Sequence, residues 1–569
     1  MQNNTNLILA VILSVIILVG FQYLYVKPQQ EQFRQQVLAE NQAKPPQLEA
    51  AGENAAPRDR ATVVATTPRV VINTPELRGS INLKGARLDD LALAQYRENL
   101  DPNSSHITLL SPSGSAGAHR PYYAEFSWLG DKSIAVPTAQ TEWKSAGGEL
   151  SQSHPVKLTW DNNQGLVFER TISVDEHFMF TITDHVTNKG QEAVTLYPFG
   201  VIARQGHPAP ENATILHEGP IGFLNGSLEE ANYEKLMDNE KKTIDSEGGW
   251  LGITDKYWLV ALVPNQTEKL TASFAYNRGN HVEAKDGYFQ TDYRSAPVIV
   301  APGAKAEHVT HLFAGAKKLR VLDQYADEYN IPHFDKAIDF GWFYFLTKPF
   351  LYLLAFLGRI LGSFGLAILA FTVLLKLVTL PLSQKSYHSM ARMKALQPEM
   401  KKLQERFADD KMRQSQEMME LYRREKVNPM AGCWPQLIQI PIFFALYKVL
   451  YVGIELRQAP FYGWIHDMSI PDPTSLFNLF GLFPWSVPSA LHIGVWPVLM
   501  GLSMLLQQRL SPQPPDKMQA RMFMFMPILF TYLLAQMPAG LVIYWTWSNL
   551  LSILQQTYIM RSDLAKQRG

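Results

Sequence analysis

Across residues 427–508 the chain carries only five Asp, Glu, Lys or Arg residues: Lys448, Glu455, Arg457, Asp467 and Asp472. So long a charge-poor stretch is read as membrane rather than as a solvated surface. The overall balance of 52 Lys+Arg against 52 Asp+Glu conceals this, because the charge is unevenly distributed. Apolar runs at about 361–382, 432–454, 489–507, 522–537 and 539–558 are read as spans. An earlier run at 7–26 is about 20 residues long, enough at 1.5 Å per residue to cross a hydrocarbon core of about 30 Å. It is read as an uncleaved anchor, since no Lys or Arg precedes it and no small-x-small cleavage site follows at Tyr25-Val26-Lys27-Pro28. Six spans are therefore expected.

Between the anchor and the next span the composition changes twice. Residues 27–68 are rich in Gln, Ala, Glu and Pro and lack the apolar period needed to bury a core, which predicts a flexible linker. Residues 69–325 alternate short β-branched and aromatic runs with Gly, Pro, Asn and Asp turns, the pattern of a large antiparallel β-sandwich. Phe178, Phe180 and Ile182 against Met179, Thr181 and Thr183 show the period of two. Residues 326–360, with aromatic bulk at 341–345 and sparse Lys348 and Arg359, predict a connection and a helix lying in the membrane interface. The fold class is thus an α-helical polytopic membrane protein of six spans carrying a large all-β sandwich, with a five-span core at 361–560 and a basic tail at 561–569. The single cysteine, Cys433, excludes an intramolecular disulfide and a multi-cysteine zinc site, and no phosphate-cradling loop or metal-binding H-E-x-x-H helix is present. No cofactor and no specific nucleic-acid recognition are expected.

Orientation follows from Lys and Arg, which are retained on the cytoplasmic side near short loops. Residues 384–430 hold eleven of them, whereas 455–488 holds only Arg457. Both termini are therefore expected in the cytoplasm and the sandwich on the opposite face. Within the basic segment Met393, Leu396, Met400, Leu403 and Phe407 recur at spacings of 3, 4, 3 and 4, the seam of a coiled-coil helix. Residues 408–411 break it, and Met412, Met419 and Tyr422 offer a second stripe, which predicts a helical hairpin. It reads as a solvated spacer or as a docking arm with an adaptable Met-rich face.

Gln416-Glu417-Met418-Met419-Glu420-Leu421-Tyr422, Lys426-Val427-Asn428-Pro429, Gly432-Cys433-Trp434-Pro435 and Ile438-Gln439-Ile440-Pro441-Ile442-Phe443 occur in that order. Trp464-Ile465-His466-Asp467 and Pro538-Ala539-Gly540-Leu541-Val542-Ile543-Tyr544 follow them. Over 340–558 this series resembles the insertase core of the YidC family, and the added anchor and sandwich resemble its Gram-negative form. The resemblance implies an inner-membrane insertase for nascent integral membrane proteins, acting on the lipid bilayer with the ribosome and Sec translocon components as further partners. It also implies a polar groove open to cytoplasm and lipid, with a positive residue that is Arg in better-known members and Lys376 here.

Lys376 lies in an otherwise uncharged span, where a centred charge costs about 3 kcal/mol on insertion scales. Snorkelling to the near interface is the competing reading. Thr372, one turn earlier on the same face, favours a groove, and Gln436 and Gln439 could line it or serve as interhelical glue. Phe443, Phe444, Tyr544 and Trp545 could form an apolar path for an incoming helix, or belong to ordinary packing. A secondary transporter is the alternative function, but it would favour repeated spans and paired midplane charges, and only Lys376 and Lys448 lie inside spans. Sandwiches of this size resemble sugar-epimerase folds, and His177, His185, His308 and His311 are present. His308 and His311, three apart in an expected strand, should face opposite sides, and no acid/base pair can be assigned.

Overall fold

The computed structural model describes residues 58–568 apart from 118, 132, 207–215, 239–240, 279–285, 426, 428–433, 484, 486, 489–490 and 512–516. The expected anchor at 1–26, most of the linker at 27–68, and Cys433 lie outside the described residues.

The sandwich forms as the alternation predicts. Among the described residues one sheet holds ten strands, its edge at Arg69–Asn73 and its centre at Tyr122–Gly130, Val194–Gln205 and Tyr288–Ser295. The second holds nine, with Trp258–Val263, Lys305–Ala316, Met179–Asn188 and Leu166–Val174 as successive neighbours. Strand Leu166–Val174 shows the cause: its residues alternate buried and half-buried, with Leu166, Phe168, Arg170, Ile172 and Val174 inward. One of those inward residues is a cation. It is tolerated because the register sets Arg170 opposite Asp184, and Arg170 Nε and Nη2 each donate to that carboxylate at 2.7 Å. Trp128 Nε1 donates to the same carboxylate at 3.2 Å. At the other end of this region Gly315 is packed under Phe178, whose side-chain carbons lie 2.2–2.6 Å from where a Cβ would stand.

Two five-residue helical turns lie at Arg60–Val64 and Tyr233–Met237. The longer helices are labelled α1 (Leu319–Glu328), α2 (Tyr344–Leu361), α3 (Phe364–Arg406), α4 (Lys411–Arg424), α5 (Trp434–Val452), α6 (Val495–Leu510), α7 (Lys517–Leu534) and α8 (Ala539–Arg568). Tyr325 fastens α1 to the sheet, donating to Asp175 and accepting from the Phe178 amide. A left-handed Gly362 joins α2 directly to α3, whose first turn is capped by Ser363. α3 packs on α2 and α8, α6 packs on α7 and α8, and α5 packs on α2. Among the described residues α2 and α3 are long and apolar enough to cross a membrane, and shorter apolar stretches lie at Leu437–Val452 and Ala520–Leu534.

Several boundaries differ from the sequence expectation. α3 is continuous for 43 residues, carrying Pro381 and Pro398 inside it, so the first core span and the first arm of the hairpin are one rod about 65 Å long. α6 begins only at Val495: Gly494 before it is extended, and Asp472 accepts from the Trp496 amide at 2.9 Å and so caps the first turn. α7 stops at Leu534, short of Pro538, and α8 runs past 558 to Arg568. The hairpin break falls at 407–410, one residue before the 408–411 read from the spacing, so Phe407 caps the first arm instead of extending its seam, and the second stripe is Met418, Leu421 and Tyr422, packed on Met400. Met412 and Met419 point outward, because positions 412 and 419 fall on a different helical face from 418, 421 and 422.

Candidate functional site

α3, α6 and α8 bring a polar cluster together inside an apolar bundle. Lys376 Nζ donates to Ser552 Oγ at 2.8 Å, so the side chain points across to α8. Ser552 passes the bond on to the Ser548 carbonyl at 2.9 Å. One turn away Asn549 Nδ2 donates to Ser503 Oγ of α6 at 2.9 Å. Ser383, Ser386, Asn549, Ser552 and Gln556 are all buried, and Ser386 Oγ and Gln555 Oε1 have no protein partner. Buried polar groups without a partner are costly, and a cavity that admits water would satisfy them. No carboxylate pairs with Lys376 among the described residues, and the Ser552 hydroxyl is the side-chain partner its ammonium meets.

The other residues singled out from the sequence fall in different places. Thr372 is buried and its hydroxyl donates to the Ile368 carbonyl of its own helix at 2.7 Å, so it is a satisfied neighbour of the cluster. Gln439 Nε2 donates to Tyr544 Oη at 2.8 Å, joining α5 to α8. Gln436 lies on α5, but its side chain is outside the description. Phe443 packs inward on Trp545 with ring centroids 4.7 Å apart, and Tyr544 is buried. Phe444 is half exposed and stacks on Phe343 beside α2. In the hairpin Met400 is buried, Leu396 and Leu403 pack against its cluster, and Met393 and Phe407 are only half-buried. Arg406 and Arg413 each stand within 6 Å of the Phe407 ring. Missing from the sequence reading was the polar face of α8. Ser548, Asn549, Ser552, Gln555 and Gln556 recur at helical spacing in the last apolar run, and that recurrence was the available signal.

Lys448, the other span lysine, sits at the sandwich end of α5, where its Nζ binds Asp339 at 2.7 Å. Nearby, Lys317 is buried, its Nζ donates to Thr254 at 2.9 Å, and burial pushes its pKa down to about 8. Arg457 donates to the Arg97 carbonyl at 2.6 Å, a second tie between sandwich and helices. His308 and His311 do face opposite sides. His308 stands edge-on to Trp128, while His311 bonds Thr181 and lies against Tyr329, and burial pushes the His311 imidazole down to about 4.

Two family profiles divide the chain at the same junction: one described as YidC periplasmic domain matches residues 69–353, and one described as 60Kd inner membrane protein matches residues 356–567. The chain belongs to the YidC family. The membrane protein insertase YidC of Bradyrhizobium diazoefficiens is 49% identical, covering 100% of this chain and 97% of that protein. The membrane protein insertase YidC of Brucella suis is 47% identical at 100% and 97% coverage. A crystal structure of an active YidC insertase with its first transmembrane domain resolved covers 87% of this chain and 95% of that one, at 16% identity and TM-score 0.36. A galactose mutarotase-related enzyme of Lactobacillus acidophilus covers 43% of this chain at 9% identity and TM-score 0.29. As a YidC-family chain, this protein pairs the family's periplasmic sandwich with its inner-membrane helical region.

Proposed function

We propose that this chain is a membrane protein insertase whose working surface is the polar face around Lys376. The observation that carries the reading is the Lys376–Ser552 bond, which turns a cation toward the interior of the bundle beside buried hydroxyls and amides. A short hydrophilic segment of a nascent chain would find polar partners and a positive charge there. Its apolar segment would slide along outward-facing side chains such as Val378 and Leu554 into lipid. Phe443 and Trp545 would brace the bundle, with Phe444 on its outer side.

The topology that serves this function has six spans, both termini and the hairpin in the cytoplasm, and the sandwich in the periplasm. Lys348 ties the first turn of α2 to Asp323 and Asp335 on the sandwich side. α2 turns through Gly362 straight into α3, whose far end is the basic arm. Both ends of α2 therefore lie on the outer side, which favours a helix along the interface, with Thr347, Leu351, Leu354 and Gly358 packed inward. The hairpin's exposed Met412 and Met419 suit an adaptable partner surface, for which the ribosome and Sec translocon components are the proposed occupants.

Liposomes containing only this chain should insert a small single-span protein with an acidic outer tail, scored by protease protection, and empty liposomes should not. Equal protection in both would refute the reading. With Cys433 replaced, a cysteine at the exposed sandwich position Ile299 should react with an impermeant maleimide from outside the cell, and one at 410 only after the membrane is opened.

A further inference from the structure

We infer that residues 476–483 together with Trp485, between α5 and α6, form a wedge that dips into the acyl-chain boundary of the outer leaflet. The inference rests on the topology proposed above and concerns a surface away from Lys376.

No Asp, Glu, Lys or Arg occurs between Asp472 and Arg509. Within that interval Leu476, Phe477, Leu479, Phe480, Leu482 and Phe483 are all exposed, Leu482 to 80%. Trp485 stacks on Phe483 with centroids 4.6 Å apart and planes within 4°. Left in water, such a patch would be a liability. Lipid-exposed irregular backbone is tolerated only when its polar groups are satisfied, and six amides of this loop are paired within it or at its root. The Leu476 amide donates to the Ile493 carbonyl at 2.8 Å, and the Phe477 amide to Ser475 Oγ at 3.3 Å. The amides of Phe480, Leu482 and Phe483 donate to the carbonyls of Ser475, Leu479 and Asn478. The Gly481 amide donates to Asn478 Oδ1 at 3.0 Å, and Trp485 Nε1 to the Phe477 carbonyl at 3.1 Å. Leu479 and Phe480 both take left-handed backbone, φ 48° and 59°, a disfavoured conformation for bulky residues.

The root of the loop is fixed. Asp472 is buried and accepts from Trp464 Nε1, from Thr474 and from the Trp496 amide, which starts α6. Helix length sets the depth. With 16 residues α6 covers about 24 Å, less than a hydrocarbon core of about 30 Å, so the apolar segment before it must supply the remaining depth at the outer surface. Aromatic side chains with satisfied polar groups are the chemistry of that boundary, and a tip without Asp, Glu, Lys or Arg offers a soluble partner no ion pair.

The test places an environment-sensitive fluorophore on Leu482→Cys in the full chain carrying Cys433→Ser, in vesicles of phosphatidylethanolamine and phosphatidylglycerol. Strong quenching by lipids with a doxyl group high on the acyl chain is expected. Iodide quenching should be several-fold weaker than at Ile299→Cys, an exposed sandwich position. Iodide quenching equal to that at Ile299→Cys, with none from doxyl lipid, would overturn the inference. So would an apolar signal seen only after a substrate polypeptide is added, which would assign the tip to protein. Asp410→Cys, labelled with an impermeant maleimide, reads the topology separately: reaction from the same side as Ile299→Cys sinks the orientation, while the doxyl signal still decides the wedge.

Discussion

In the sandwich the fully buried side chains include Trp128, Trp250, Tyr293, Phe168, Phe180 and Arg170, whereas in the helical region Val378, Leu554 and Phe525 turn outward. The first region is organised by water. It hides apolar bulk, and where a charge must follow it inside, as at Arg170, the Asp184 carboxylate meets it and Trp128 donates to that carboxylate. The second has lipid for a solvent, so outward leucines cost nothing and inward serines and asparagines carry the specificity. The same residue type therefore has opposite meaning on the two sides of the junction at Asp339–Lys448.

That contrast can be broken most severely at Arg170. Arg170→Ala leaves Asp184 buried without its partner and should destabilise the sandwich by about 3–5 kcal/mol, read in denaturant unfolding followed by tryptophan fluorescence. Insertion by the helical region should survive, and its loss at normal abundance would show that the sandwich is part of the working machinery. The next largest effect compares like with like. Ile172→Ala, inside the sandwich, should cost about 2–5 kcal/mol, and Val378→Ala, on the lipid face, under about 0.5 kcal/mol. Equal costs would mean that the outward face of α3 is covered by protein.

A smaller effect is pH-dependent. His311 has a folded-state pKa near 4, below its usual value, so the unfolded chain binds the extra proton between about pH 6.5 and 4. Sandwich stability should therefore fall across that window on acidification, and His311→Gln should flatten the acid limb of the melting temperature. An unchanged limb would place the acid sensitivity elsewhere.

How much of this was legible beforehand differs between the same two regions. The sandwich was readable because a period of two repeats along strands such as Leu166–Val174, even though Arg170 breaks the hydrophobic rule on its inward face and only the register with Asp184 explains it. Lys376 stood out because a lone charge in an apolar run is conspicuous. Its partner Ser552 did not, since a serine in a span is compatible with lipid-facing, packed or groove-lining positions until the helices are placed. Met418 was passed over for Met412 and Met419 because a short stripe on a 14-residue helix fits more than one face. The first turn of α6 is capped by Asp472 from a loop more than twenty residues away, a contact that no local pattern encodes.

The central claim is that the cation facing Ser552 receives hydrophilic segments of incoming chains, and a substitution series at Lys376 in the single-component vesicle assay tests it most directly. Lys376→Arg should retain insertion, because the charge is kept and only donor geometry changes. Lys376→Ala should lower it and Lys376→Glu should lower it further, both most strongly for substrates with acidic tails, since an attraction is removed or reversed. Equal insertion by the alanine and unsubstituted proteins at matched abundance, for acidic and neutral tails alike, would contradict the account.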